Sequence, residues 1–173
     1  MTLTQKDFIL NDCQQVTSGL ISRLERLKNE KILITGGTGF MGTWLAEMIT
    51  FINDKYNFNT HLFLLSTRAS LFRESAPHIA FRKDITLIDR DVRNLTDISN
   101  EVSWIIHAAA SPDSRIHASD PLRTIEVIVD GTDSVLEYAT RLPEIKKILN
   151  ISSGQIYGAQ PWELKEIPEN FIG

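Results

Sequence analysis

The run Lys31-Ile32-Leu33-Ile34-Thr35-Gly36-Gly37-Thr38-Gly39-Phe40-Met41-Gly42 decides how the whole chain is read. Ile32-Leu33-Ile34 is a short, uninterrupted apolar run, the pattern of a strand buried on both faces of a parallel sheet. The glycines that follow satisfy G-x-x-G-x-x-G from Gly36 and G-x-G-x-x-G from Gly37. Without Cβ atoms the backbone turns tightly and lets a pyrophosphate approach. The free N–H groups and the positive end of a following helix then favour the negative charge. Such a helix is expected through about Asn53, with Trp44, Leu45, Met48, Ile49 and Ile52 as its apolar side. The strand before and the helix after raise the glycine pattern above chance, and a glycine-rich turn with no ligand is the competing reading.

Outward from this unit the alternation of strand and helix continues. Leu62 to Leu65, Ile85 to Ile88, Val102 to His107 and Lys147 to Ile151 read as four further strands, and a long helix is expected from about Asp120 to Arg141. Strands joined by helical crossovers give a parallel sheet with helices on both faces. After Ser153 come turn signals, namely Gly154, Gly158, Pro161, Pro168 and Gly173, and no further strand–helix unit. The expected fold is therefore α/β, a doubly wound parallel sheet incomplete at its C-terminal side. Before Lys31, residues 4–28 read as one helix with Val16, Leu20, Leu24 and Leu27 on its apolar side. The domain reading is an N-terminal helical extension over 1–30 and a nucleotide-binding domain over 31–173.

The composition is that of an ordinary globular domain: 173 residues, 42% hydrophobic, 23% charged. A net charge of −4 argues against nucleic acid or an anionic membrane as the main partner. Cys13 is the single cysteine, so no internal disulfide is available, and a reducing cytoplasm is the expected location. The start of the chain lacks a basic segment followed by an apolar run, so it does not read as a signal peptide. The apolar runs are far shorter than the ~20 residues needed to span a bilayer. The four histidines, at 61, 78, 107 and 117, have no ligand-like spacing with Cys or carboxylates, so no metal site is expected. His107 is expected to be a satisfied structural residue.

From Lys31 onward the chain resembles the extended short-chain dehydrogenase/reductases, the Rossmann-fold family of NAD-dependent nucleotide-sugar epimerases, dehydratases and reductases. Four blocks carry the resemblance: Thr35 to Gly42; Asp91-Val92 after the third strand; His107-Ala108-Ala109-Ala110, like H-x-A-A; and Ser152-Ser153-Gly154-Gln155-Ile156-Tyr157-Gly158, like S-S-x-x-x-Y-G. The resemblance implies cofactor contacts from Gly36, Thr38, Gly39, Phe40, Met41 and Gly42, with Asp91 and Val92 at the adenine. It also implies that the cofactor crosses Ala108, Ala109 and Ala110. Ser153 is implied as the catalytic residue that bonds the reacting sugar oxygen, a role suited to a neutral hydroxyl that both donates and accepts. A simple cap of the loop by Ser152 and Ser153 is the alternative. Tyr157 is expected to pack the loop, since Pro161 stands four residues later.

The family's base is the tyrosine of a Y-x-x-x-K motif, and none of Tyr56, Tyr138 or Tyr157 has a lysine four residues on. By resemblance that motif falls shortly past Gly173, so the chain is read as a piece truncated before it and before the sugar-binding part. Gly154 and Gln155 occupy the places where the family's dehydratases carry an acid pair, and neither is a general acid. Epimerase or keto-reductase chemistry is therefore preferred, with 4,6-dehydration less favoured. Ile128 stands where relatives carry an asparagine near the active site. A non-catalytic NAD(P)-binding sensor or interaction module is the rival reading.

At the end of the second strand an NAD-preferring site carries a carboxylate for the ribose 2′-hydroxyl. Leu65-Ser66-Thr67-Arg68 has none, and Ser66 with Arg68 would suit a 2′-phosphate. The expectation is NADP or NAD, leaning to NADP, with Arg68 as a solvated loop residue the alternative. A homodimer through the long helix is also implied by the resemblance.

Overall fold

A computed structural model of the chain describes residues 4–96, 98–110 and 113–171. Five parallel strands form one sheet: β1 (Lys31–Thr35), β2 (His61–Ser66), β3 (Ile85–Asp89), β4 (Trp104–His107) and β5 (Lys147–Asn150). Their order is β3-β2-β1-β4-β5. The chain therefore winds outward from β1 to β3, then returns to place β4 on the other side of β1. The order reverses between β1 and β4, and in open α/β sheets such a reversal leaves a crevice beyond the C-terminal strand ends, the position at which they bind ligands.

Among the described residues seven α-helices accompany the strands: α1 (Gln5–Ser18), α2 (Ile21–Leu24), α3 (Phe40–Tyr56), α4 (Ala69–Ser75), α5 (Pro77–Ala80), α6 (Ser114–Ser119) and α7 (Pro121–Thr140). Alternate residues of the strands feed two cores. Ile32, Ile34, Leu62 and Leu64 pack toward Ala46, Ile49 and Ile52 of α3 with Phe72 and Ile79. Leu33, Leu65 and Ile105 pack toward Val135, Tyr138 and Ala139 of α7. This division follows from the two-residue period of a strand. It explains why Ile32 to Ile34 is apolar without a break.

The sheet's N-terminal end is closed by turns and by one polar knot. Asn29, Asn57 and Asn59 all take positive φ, a conformation asparagine tolerates, and Asn59 Nδ2 donates to Asn29 Oδ1 at 3.1 Å. Glu30 accepts from Ser103 Oγ (2.5 Å), Trp104 Nε1 (3.2 Å) and Lys146 Nζ, joining the approaches to β1, β4 and β5. Gly131 lets α7 lie close to the loop after β3, because a Cβ there would stand 2.9 Å from Val92 Cγ1.

The N-terminal segment departs from the expected single helix. It breaks after Ser18 into α1, the short α2 and a 3-10 turn at Glu25–Leu27. Gly19, a poor helix residue, caps α1. A box caps the other end: Thr4 N donates to Asp7 Oδ2 (2.8 Å) and Asp7 N to Thr4 Oγ1 (3.3 Å). Its buried face is also different. Cys13 and Thr17 are sealed from water, whereas Val16 and Leu20 are exposed; Leu24 and Leu27 do pack on the core. Thr17 is accommodated because its Oγ1 donates to Cys13 O at 2.7 Å. Helices α4, α5 and α6 are additions to the expected pattern. The long helix spans 121–140 and the five strands fall where expected, with β4 starting two residues later, at Trp104.

Helices do not cover the whole sheet. All four residues of β5 are exposed, with Leu149 at 55%. Beyond it, Gly154–Tyr157 forms one 3-10 turn, and no strand follows among the described residues. Gly173, the last expected turn signal, lies outside them.

Candidate functional site: the crevice between the ends of β1 and β4

Gly36 leaves β1 with φ +68°, and a Cβ built on it would stand 2.6 Å from Ala108 O at the end of β4. Gly37 passes so close to β2 that a Cβ would meet Leu64 at 2.8 Å, and its N–H donates to Leu65 O at 3.0 Å. Gly42, in the first turn of α3, lies against the loop itself: its Cβ would meet Gly36 O at 2.5 Å. Three of the glycines thus draw the loop, β2, β4 and the start of α3 into one compact corner. Gly39 caps α3 with extended backbone, and Thr43 N donates back to Gly39 O at 2.9 Å. The N–H groups of Phe40, Met41 and Gly42 precede that first bond and have no partner among the described residues. They point as a set beyond the helix start, where the positive end of the dipole lies. The side chains of Phe40 and Met41 are exposed at the same rim.

His107 and the alanines after it form the other wall. The ring is buried between two hydroxyls: Thr35 Oγ1 lies 2.7 Å from Nδ1 and Thr132 Oγ1 3.2 Å from Nε2. Thr132 Oγ1 donates to Ile128 O at 2.6 Å, so it accepts from the ring, which therefore carries its proton on Nε2. Nδ1 then accepts from Thr35 Oγ1, which in turn accepts from Ala108 N at 3.2 Å. A neutral imidazole satisfies every member of this chain. Burial also pushes the His107 pKa below the ordinary imidazole value. The structural role expected of His107 is the one observed. The sequence alone does not identify Thr35 and Thr132 as its partners, although Thr35 stands directly before the quoted Gly36.

At the end of β2, Thr38 and Ser66 share a hydroxyl–hydroxyl bond of 2.6 Å, and Ser66 Oγ also accepts from Arg68 N at 3.1 Å. Whichever hydroxyl donates to the other, the pair keeps one proton for an outside acceptor. The Arg68 guanidinium is exposed and makes no hydrogen bond or ion pair among the described residues. This corner of the rim is therefore rich in donors.

Asp91 sits after β3 with both oxygens engaged. Oδ1 accepts from Arg93 N (2.9 Å) and Nε (3.0 Å), and Oδ2 from Arg93 Nη2 (2.8 Å). Hydrogen bonds from the Arg93 guanidinium hold the Asp91 carboxyl below its usual pKa, against partial burial, which acts in the opposite direction. Arg93 Nη1 also donates to Glu126 Oε2 of α7 at 2.9 Å. Arg93 was missed at the sequence level; its place two residues after an acid in a turn was the available signal. The Val92 side chain is buried and lies against Gly131 of α7.

Ser153 Oγ accepts from Gln155 N at 3.2 Å and so caps the turn after β5, leaving the hydroxyl proton free. Ser153, Gly154 and Gln155 are all exposed. Tyr138 donates to Ser99 O at 2.6 Å from a buried position, and Tyr157 is half-buried in its turn. The glycine loop, the Thr38–Ser66 pair and Ala108 thus meet directly, while among the described residues no hydrogen bond or ion pair ties Ser153 to them. Among the described residues no group of three His, Cys, Asp or Glu side chains is placed to hold a metal, and no helix is long and apolar enough to cross a membrane.

Known proteins resemble this chain in sequence and in fold. The CDP-glucose 4,6-dehydratase of Salmonella typhimurium is 26% identical over 140 residues, covering 78% of this chain and 37% of that protein. UDP-glucuronic acid decarboxylase 1 of Arabidopsis thaliana is 29% identical over 132 residues, covering 76% and 28%. Among solved structures, the UDP-glucuronic acid 4-epimerase of Bacillus cereus, in complex with UDP-glucuronic acid and NAD, superposes with a TM-score of 0.68 at 22% identity. That match covers 82% of this chain and 45% of the epimerase, and establishes the shared fold. The chain spans less than half the length of each of these three proteins. The model of the NAD dependent epimerase/dehydratase family matches residues 32–170, from β1 to beyond Ser153, and the chain belongs to that family.

Proposed function

We propose that this chain binds a nicotinamide dinucleotide in the crevice between β1 and β4 and forms the cofactor-binding part of a nucleotide-sugar epimerase or keto-reductase. The observation that carries this reading is the corner at Gly36. The glycines leave room for a close backbone approach, and the free N–H groups of Phe40, Met41 and Gly42 face the place where a pyrophosphate would lie. The residues present fit the group. Asp91 would meet the adenine, while Ala108, Ala109 and Ala110 would leave the strand ends low enough for the nicotinamide half to cross. Thr38, Ser66 and Arg68 offer donors and no carboxylate at the ribose, which favours a 2′-phosphate and hence NADP over NAD. The nicotinamide, when bound, supplies hydride chemistry.

Ser153 is the proposed catalytic contact in this chain. Its oxygen already accepts from Gln155 N, which leaves its proton for the reacting sugar oxygen. Gly154 and Gln155 supply no general acid, so epimerisation or keto-reduction is favoured over dehydration. No Y-x-x-x-K occurs in these 173 residues. The proposal for this chain alone is therefore binding and orientation of cofactor and substrate oxygen, with proton transfer supplied by further residues of a longer enzyme. A purely cofactor-binding module is the second reading, and Ile128 in place of the family's asparagine favours it. The lone, buried Cys13 suits a reducing compartment, and the cytoplasm is the proposed location. The proposed partner is a second copy, through α7.

The discriminating experiment incubates the gene product, purified at its natural length, with NADP or NAD in oxidised and in reduced form and a panel of UDP-, CDP- and GDP-sugars and their keto derivatives. NMR then follows the sugar ring. An inverted carbinol centre, or a keto carbon reduced to a carbinol at the expense of the reduced dinucleotide, lost in S153A, is the expected result. Tight dinucleotide binding with every sugar unchanged would establish the module instead.

A further inference from the structure

We propose that Arg93 is a positioning residue that makes Asp91 a single-acceptor site, selective for an aromatic amine. The inference rests on the reading of Asp91 as the adenine contact and goes beyond it by assigning how the contact becomes selective. A carboxylate has about four in-plane acceptor positions. Arg93 takes three of them: its own N–H and Nε–H bond Oδ1, and Nη2–H bonds Oδ2. One acceptor position remains, on Oδ2. The carboxylate cannot turn to offer more, because Arg93 is itself held from the other side by Glu126 Oε2 of α7 at 2.9 Å. Side chains of Asp91 and Arg93 are each about one-third exposed, so the remaining position is accessible.

An unheld carboxylate at this rim would accept from any donor, including both hydroxyls of a ribose or water. A fixed one with a single free position matches a single N–H donor in the ring plane. The exocyclic amine of adenine is such a donor. Replacing it with the carbonyl oxygen of hypoxanthine sets acceptor against acceptor, and a site built to accept a hydrogen bond rejects such an analogue strongly.

Calorimetric affinities for NAD and for nicotinamide hypoxanthine dinucleotide test this in the wild type, R93Q and D91N, with thermal melts to confirm folding. The wild type is expected to prefer NAD by on the order of 10-fold or more. In R93Q the preference falls to within about threefold, with hypoxanthine dinucleotide bound nearly as in the wild type, since the carboxylate is no longer held in one orientation. In D91N the preference disappears or inverts, because the amide turns its NH2 toward the carbonyl. R93K, which keeps the charge but at most one of the two side-chain contacts, is expected to fall between wild type and R93Q, and it serves if R93Q does not fold. If R93Q and R93K keep the full preference while D91N loses it, Asp91 still reads the base and the role given to Arg93 is overturned. If D91N keeps the full preference, the adenine reading of Asp91 fails, and this proposal with it.

Discussion

Gly36 carries two constraints at once: a positive φ, and a carbonyl 2.6 Å from where a Cβ would stand. G36A is therefore expected to cost about 1–3 kcal/mol of stability, read from urea midpoints, and to weaken dinucleotide binding by more than tenfold. His107 gives a pH prediction. Its pKa is lowered by burial in the folded chain, so in acid the unfolded chain takes up a proton that the folded one refuses. Stability is full above about pH 6.5, the unfolded value, and declines as the pH falls from there toward the lower folded pKa. In H107Q this part of the decline is expected to be absent; urea midpoints at several pH values between 7.5 and 5 measure the difference. The residues whose backbone is constrained, the glycines above all, were legible from spacing alone. Thr35, Thr132 and Arg93 were not. Which hydroxyl reaches a ring nitrogen depends on register between segments that are distant in sequence, and an arginine folds back on an acid two residues earlier only where the local turn brings them together.

Elements were legible in proportion to their length and periodicity. The five strands and helices α3 and α7 carry long apolar patterns, whereas α4, α5 and α6, of four to seven residues, are too short to show one. The N-terminal segment departs from its apolar stripe because Gly19 ends α1, and because Cys13 and Thr17 are small enough to seat α1 closely on α3. Burial also pushes the Cys13 thiol pKa up, which disfavours the reactive thiolate. Cys13 is therefore expected to resist a thiol reagent in the native protein and to react at the rate at which α1 lifts away; labelling followed by mass spectrometry measures that rate. At the other end of the sheet, Glu30 joins three strand approaches. E30A leaves Ser103, Trp104 and Lys146 without their shared acceptor and is expected to cost about 2 kcal/mol, measured by chemical denaturation.

For the molecule as a whole, the sheet is finished on one side and open on the other. At β5 both faces are exposed, and along α7 Leu122, Ile125, Val129 and Leu136 form an exposed stripe with steps of three, four and seven residues. That spacing is the seam of a helix that packs against another. If α7 joins two copies, as proposed, the I125E/V129E double variant should sediment as a monomer at concentrations where the wild type associates. The same openness explains why the sequence reveals the cofactor end of the site better than its substrate end. Gly36 to Gly42, Ala108 and Asp91 are gathered by strands β1 to β4, whereas Ser153 stands on an exposed turn after the edge strand. The central claim is that the corner at Gly36 receives a nicotinamide dinucleotide. Isothermal calorimetry of the wild type and G36A with NADP and with NAD tests it most directly. The account predicts saturable one-to-one binding of both to the wild type, in mutual competition, tighter for NADP and weakened in G36A. A folded wild type that gives no heat and no rise in melting temperature with millimolar amounts of either dinucleotide would contradict it.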